Sequence, residues 1–133
     1  MIAIDTSALL AILLGEPERA QCQAALAAAD EIVMSAGTLI EARMVARGKG
    51  GDPMVALLDA LIEQAGIAIV AVSEDHAKLA QAGFIQFGKG NGRPARLNFG
   101  DLFAYALAKS NNAPLLFKGD DFAATDVTTA VQL

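Results

Sequence analysis

The sequence predicts an α/β fold with a central, mostly parallel sheet of four to five strands flanked by helices. Short apolar segments alternate along the chain with longer segments of helical character. The short segments are apolar along their whole length, which is typical of parallel strands that helices cover on both faces. The chain has 133 residues, and we therefore expect a single domain that spans residues 1–133.

The strands are predicted from apolar and β-branched residues that turn-forming or capping residues follow. Four segments meet this description: MIAI at 1–4, EIVMS at 31–35, IAIVAV at 67–72 and PLLF at 114–117. The C-terminal segment VTTAVQL is also predicted to be extended, and it would supply a fifth strand.

The helices are predicted from capping residues and from stop signals at their ends. Ser35, Ser73 and Asn98 precede helical segments, and their side chains can accept hydrogen bonds from the first turn. Thr6 or Ser7 can do the same for the first helix. Glycines end several of the segments. The predicted helices cover residues 7–15, 16–30, 36–47, 52–65, 74–88 and 99–111.

The composition argues against disorder and against a membrane span. Hydrophobic residues make up 54% of the chain, which indicates a well-covered core. No apolar stretch reaches the length that a membrane-spanning helix needs. Asp5 lies in the N-terminal apolar run with no basic residue before it, whereas a signal peptide has the opposite arrangement. We therefore expect no membrane association and a cytoplasmic location.

The single cysteine and the single histidine offer little chemistry. Cys22 has no second cysteine to pair with, and its helical surroundings predict a small buried apolar residue. His76 lies near a predicted helix start, where a surface position is favoured over the role of a general base. Neither residue indicates a zinc site or a nucleophilic triad.

Basic residues are concentrated in one part of an acidic chain. The formal net charge is −5, yet residues 76–100 contain no acid and include Lys78, Lys89, Arg93 and Arg96. The last three belong to a glycine- and proline-containing loop that follows the fifth predicted helix. Such a stretch can contact phosphates even on an acidic protein. A solvated loop with incidental charge explains it equally well.

Isolated acids lie beside apolar segments at several distant positions. Asp5 ends the first strand, Asp120 and Asp121 follow the fourth, Asp101 is in the first turn of a helix, and Glu41 lies in the helix after the second strand. A carboxylate beside a buried strand is costly unless it is solvated, hydrogen-bonded or bound to a cation. Ligands of open α/β sheets bind beyond the carboxyl ends of the strands, so one edge can collect these acids.

Each acid taken alone also has an ordinary structural explanation. Asp5 can be only a helix N-cap, and Asp101 can be only the acid of a capping box with Asn98. Glu41 can be a surface helix acid, and at least one of Asp120 and Asp121 is expected to be a turn residue. The argument for a site therefore rests on their joint placement at one edge.

Carboxylates crowded at one edge repel one another, so some must take up protons unless a cation is present. Oxygen-only ligands suit Mg²⁺ or Mn²⁺ and argue against zinc and copper. A divalent ion of this kind can activate a water and stabilise charge on a phosphoryl oxygen, as phosphodiester hydrolysis requires. Lys89, Arg93 and Arg96 would then hold the substrate backbone.

Four segments of the chain resemble one family in the order of that family. They are MIAIDTSALLAILLGEPE, SAGTLIEA, RLNFGDLFAYALAK and PLLFKGDDFAATDV, and together they span nearly the whole chain. The chain resembles PIN-domain ribonucleases and, among them, the VapC toxins of bacterial type II toxin–antitoxin systems. The resemblance implies a PIN-like three-layer sandwich that cleaves RNA with one or two Mg²⁺ or Mn²⁺ ions.

The resemblance also implies roles for individual residues. Asp5, Glu41 and Asp101 match the family's three most reliable metal-binding acids, and Asp121 is chosen as the fourth, with Asp120 and Asp126 as alternatives. Thr6 or Ser7 would lie beside the metal and orient a water, and Thr6 is assigned to substrate binding together with the basic loop.

The partners implied by the resemblance are an RNA substrate, a second copy in a homodimer and a VapB-like antitoxin. The C-terminal segment of such an antitoxin would cover the active site, where an arginine can pair with the carboxylates. Two alternatives remain open: a catalytically silent PIN-like module that binds RNA or a partner, and a small acid-cluster phosphotransfer domain. The lone acid at the end of the first strand disfavours the second alternative.

Overall fold

Four parallel strands form the central sheet of the computed structural model, which describes residues 1–133. The strands are β1 (Ile2–Ile4), β2 (Ile32–Ser35), β3 (Ala68–Val70) and β4 (Leu115–Leu116). The helices are α1 (Thr6–Leu13), α2 (Arg19–Ala28), α3 (Ala36–Ala65), α4 (Glu74–Phe87) and α5 (Phe99–Asn111). The strand order is β3-β2-β1-β4, and every neighbouring pair is parallel. The predicted parallel sheet is therefore confirmed with four strands.

Helices cover both faces of the sheet and form two hydrophobic cores. Ile4, Met34 and Leu116 belong to the core that α1, α2 and α3 complete. The neighbouring residues Ala3, Val33 and Leu115 belong to the second core, which α4 and α5 complete. Successive strand residues point to opposite faces, so a strand buried on both faces must be apolar throughout. This explains why β1, β2 and β4 show no polar alternation and confirms the three-layer sandwich.

The predicted break between the third and fourth helices is present as a kink. The segment 36–65 is helical overall, but Gly50 and Gly51 leave helical geometry, and Gly51 has a φ of 69°. Only a residue without a Cβ adopts this left-handed φ without strain. Pro53 then begins the second arm, where its missing N–H is tolerated in a first turn.

Three predicted elements differ from the structure. β3 lies at the edge of the sheet, and Ile69 is 42% exposed, so the expectation that every strand is covered on both faces is wrong there. The C-terminal segment forms a single bridge from Thr129 to Leu115 and no fifth strand. The second helix begins at Arg19, so Glu16 and Glu18 lie in the connection before it.

None of the helices combines the length and the apolar character needed to cross a membrane.

Candidate functional site

Asp5 lies at the carboxyl end of β1 and also caps α1. Its Oδ2 accepts hydrogen bonds from the backbone N–H of Ser7 at 3.0 Å and from the Ser7 hydroxyl at 2.7 Å. The cap of the first helix is therefore Asp5, and the expectation that Thr6 or Ser7 caps it is wrong. The other oxygen, Oδ1, is buried and has no hydrogen-bond partner. Capping thus accounts for one oxygen of Asp5 and leaves the second without a structural role.

Burial raises the pKa of Asp5 to about 6. The hydrogen bonds from Ser7 act in the opposite direction, and the charge of Glu41 adds to the increase. Asp5 forms no ion pair with a Lys or Arg of this chain, so its buried charge is not compensated. Asp5 is consequently a carboxylate that a bound cation would stabilise.

Asp101 reproduces this arrangement at the start of α5. Its Oδ2 accepts a hydrogen bond from the backbone N–H of Asn98 at 3.0 Å, and its own N–H donates to Asn98 Oδ1 at 3.0 Å. The predicted capping box is confirmed. Burial raises the pKa of Asp101 to about 7 despite the bond from Asn98, and the charges of Asp5, Asp121 and Glu41 raise it further. Asp101 can therefore complete the capping box and belong to the acid cluster at the same time.

Glu41 reaches this cluster from α3 by packing against the first turn of α5. A Cβ built on Gly100 would lie 1.8 Å from Glu41 Oε2, so only glycine leaves room for this carboxylate. The backbone of Gly100 therefore forms part of the wall around Glu41, one residue before Asp101. Gly100 was not predicted from the sequence as a site residue, because its only signal is a glycine in a helical first turn beside an acid.

The structure distinguishes three candidates for the fourth acid. Asp121 lies near enough to Asp101 to raise the pKa of that residue. Asp126 is held elsewhere, because it accepts hydrogen bonds from the Tyr105 hydroxyl and the Lys109 ammonium, both at 2.9 Å. Asp120 lines a separate cavity near the C-terminus. The contacts therefore favour Asp121 as the fourth member of the cluster.

The four acids come from four segments of the chain, and the charges of Glu41 and Asp121 add to the raised pKa of Asp101. No three Asp, Glu, His or Cys side chains converge as a ready-made metal ligand set, so the coupling operates at a longer range than direct coordination. The donors are all carboxylates, and one buried carboxylate oxygen has no partner. Oxygen donors with uncompensated negative charge fit a hard divalent cation better than any other common metal.

Two hydroxyl groups lie beside Asp5, and only one contacts it. Thr6 is buried, and its hydroxyl donates to the backbone oxygen of Thr38 at 3.4 Å. Ser7 donates to Asp5 and accepts a hydrogen bond from the backbone N–H of Lys118 at 3.0 Å. Between the two residues considered from the sequence, Ser7 is the one positioned to orient the carboxylate.

The basic loop lies between α4 and α5 with its charges exposed. The Arg93 side chain donates to the backbone oxygen of Gln86 at 3.3 Å, and the backbone N–H of Lys89 donates to the backbone oxygen of Leu97. Neither of these residues nor Arg96 pairs with an acid. Three cationic groups of the segment between α4 and α5 are thus free to contact a polyanion.

A cavity of about 510 Å³ separates α4 from the start of α5. Its walls are mainly apolar and include Phe84, Phe99 and Phe103, with Lys89 at its edge. His76 also lines it and is 7% exposed, so the expectation of a surface histidine is wrong. The reason is that α4 packs against α5 along the face that carries His76.

Comparison with known proteins agrees with this architecture. The family model described as PIN domain matches residues 2–127. VapC ribonuclease Mb0640 of Mycobacterium bovis is 42% identical over 128 residues, 96% of this chain and 97% of that protein. Ribonuclease VapC28 of Mycobacterium tuberculosis is 44% identical over 129 residues, 96% of each chain.

Solved structures share the fold at lower sequence identity. Mycobacterium tuberculosis VapC20, described as a sarcin–ricin loop cleaving toxin, has a TM-score of 0.78 at 17% identity, covering 96% of this chain and 97% of that one. VapBC2 from Rickettsia felis, bound to a DNA fragment from its promoter, has a TM-score of 0.73 at 18% identity, covering 97% and 96%. At these identities the likeness shows the fold, while the sequence matches confirm the family. This chain belongs to the PIN-domain family and, within it, to the VapC ribonucleases.

Proposed function

We propose that this chain is a metal-dependent endoribonuclease that serves as the toxin of a VapBC-type toxin–antitoxin module. The observation that carries the proposal is the buried, unpartnered Oδ1 of Asp5, in a group of acids whose charges add to the raised pKa of Asp5 and of Asp101. Relatives named as VapC ribonucleases match nearly the whole chain, and their names support RNA as the class of substrate.

Asp5, Glu41, Asp101 and Asp121 would hold the cation, with Mg²⁺ or Mn²⁺ as the ion that suits carboxylate oxygens. When bound, such an ion activates a water and stabilises negative charge on the scissile phosphate. Ser7 keeps Oδ2 of Asp5 occupied and thereby leaves Oδ1 for the cation. The wall formed by Gly100 keeps Glu41 beside the first turn of α5.

Substrate binding is assigned to the basic loop. Lys89, Arg93 and Arg96 carry unpaired positive charges near the N-terminal end of α5, where they would contact RNA phosphates on either side of the acids. Thr6 is proposed to contribute to the same surface, although its hydroxyl donates to the backbone oxygen of Thr38.

The basic loop is tested by the salt dependence of RNA binding. Replacing Lys89, Arg93 and Arg96 by glutamine should weaken binding of a single-stranded RNA and reduce the slope of log K against log salt by about 2, at about 0.7 per neutralised phosphate. Arg47→Gln, which removes a charge paired with Asp52 on α3, is the control. An unchanged slope in the triple variant would exclude the loop from the binding surface.

The partners follow from the same reasoning. We propose a VapB-like antitoxin and a homodimer. One structural neighbour, from Klebsiella pneumoniae, is described as a toxin–antitoxin complex, and another, from Haemophilus influenzae, as VapBC-1. An antitoxin arginine would compensate the charge that the chain itself leaves uncompensated at Asp5 and Asp101. We further propose that residues 1–133 act as a single PIN domain in the cytoplasm.

The decisive experiment compares Asp5→Asn with Asp126→Asn. Asparagine at position 5 can still accept the capping bonds of Ser7, while its charge is lost. The Asp5 variant should lose RNA cleavage in Mg²⁺ or Mn²⁺, and the Asp126 variant should retain it because Asp126 contacts Tyr105 and Lys109 instead of the cluster. Wild-type cleavage that persists in a chelator, or undiminished cleavage by Asp5→Asn, would reject the proposal.

A further inference from the structure

The loop that follows β4 is fastened to the acid cluster through Lys118. The backbone N–H of Lys118 donates to the Ser7 hydroxyl at 3.0 Å, and that hydroxyl donates to Asp5 Oδ2 at 2.7 Å. Two hydrogen bonds therefore connect a residue of this loop to the carboxylate that ends β1. The same loop carries Asp121 three residues later.

The side chain of Lys118 is held by two acids from the connection between α1 and α2. Its ammonium lies 2.5 Å from Glu16 Oε2 and 3.2 Å from Glu18 Oε2. All three side chains are about one third exposed or less, at 30%, 33% and 24%. An ammonium between two partly buried carboxylates is less screened by water than a solvent-exposed ion pair. Lys118 is thus anchored at both its backbone and its side chain.

This anchoring has two consequences for the acid cluster. The ammonium is paired with Glu16 and Glu18, and it forms no ion pair with an acid of the cluster. The backbone of Lys118 is also fixed immediately before Gly119, whose φ of 97° turns the chain toward Asp121. Replacing an orienting partner of a metal ligand typically weakens metal binding 10- to 100-fold.

We propose that Lys118, held by Glu16 and Glu18, is a positioning residue that orients the Asp5 carboxylate through Ser7 and fixes the start of the turn carrying Asp121. This inference rests on the proposed function for its metal-binding part. The claim that Lys118 fixes the start of the turn concerns the protein without metal, so it can be tested independently of the proposed function.

The experiment replaces Lys118 by methionine, which keeps the aliphatic stem and removes the ammonium. Lys109→Met is the matched control, because Lys109 forms an ion pair of similar exposure with Asp126. Amide hydrogen exchange of the metal-free proteins and Mn²⁺ affinity by calorimetry are then measured. Lys118→Arg can still bridge Glu16 and Glu18 and serves as the rescue variant.

The expected result is faster exchange of the Lys118 amide, which donates to Ser7, and Mn²⁺ binding about tenfold weaker in Lys118→Met, with both near wild type in Lys109→Met and in Lys118→Arg. Unchanged exchange at this amide overturns the positioning role whatever the Mn²⁺ titration gives. Unchanged Mn²⁺ affinity overturns the link to metal binding. A wild-type protein that binds no Mn²⁺ and cleaves no RNA refutes the proposed function, and the exchange data then decide the structural part alone.

Discussion

The charge of Asp5 should make the metal-free protein lose stability as the pH rises. Burial raises the pKa of this carboxyl from 3.8 to about 6 in the folded state. Between these two values the folded protein retains a proton that the unfolded chain has released. Because the folded state binds more protons, the contribution of Asp5 to the free energy of unfolding falls with pH through this window and levels off above the folded pKa of Asp5.

The size of the effect follows from the shift. One pKa unit corresponds to about 1.4 kcal/mol, so a shift of about two units amounts to about 3 kcal/mol lost between roughly pH 4 and pH 7. The asparagine variant at position 5 has no such titration. Its buried amide adds a cost of its own, but that cost does not depend on pH. The difference in unfolding free energy between variant and wild type should therefore grow by about 3 kcal/mol over this range.

Urea denaturation at pH values from 4 to 7 in the presence of a chelator measures this difference. Asp52→Asn removes an acid whose side chain is 84% exposed and should follow the wild-type pH dependence. Adding Mg²⁺ at pH 7 should raise the stability of the wild type much more than that of Asp5→Asn, since a ligand of the folded state stabilises it by mass action. If the Asp5→Asn and wild-type curves run parallel from pH 4 to pH 7, the argument that burial destabilises this charge is refuted.

Three further substitutions probe the surroundings of the cluster. Gly100→Ala should displace the Glu41 carboxylate and reduce RNA cleavage at least tenfold, as seen in single-turnover assays, and a Glu41→Ala background should show no additional loss. Gly48→Ala, which meets nothing within 4 Å, should raise the unfolding free energy by about 0.5–1 kcal/mol in urea titrations and leave cleavage unchanged. Tyr105→Phe removes the hydrogen bond to Asp126 and should cost about 1 kcal/mol of stability with cleavage retained; a loss of cleavage would argue that Asp126 serves the site.

The sequence was sufficient for features that depend on neighbours along the chain. The parallel sheet follows from segments that are apolar at every position, because burial on both faces demands it. The helix starts at Ser35, Ser73 and Asn98 are confirmed, since capping requires only an acceptor two or three residues before a free N–H. The glycine-rich break before Pro53 is confirmed for the same reason.

Features that depend on contacts between distant elements could not be read from the sequence. His76 was expected on a surface, but the packing of α4 on α5 buries it, and helical spacing alone does not reveal which face meets a neighbour. β3 was expected to be covered, yet an apolar strand at the edge of a sheet looks the same in sequence as a central one. The contact between Gly100 and Glu41 joins residues far apart in the chain and leaves no local signal.

In the sequence, helix capping and metal binding are competing explanations of the acids, and the structure shows why the two are compatible. A carboxylate has two oxygens, and a helix cap uses one. Asp5 accepts its capping bonds at Oδ2 and leaves Oδ1 unpartnered, and the capping box of Asp101 likewise uses Oδ2. The cap fixes the direction of each side chain, and the N-terminal dipoles of α1 and α5 partly offset the repulsion between the charges. A capping acid at the end of a parallel strand is thus already oriented for a cation, so a capping signal at such a position strengthens the expectation of a metal site.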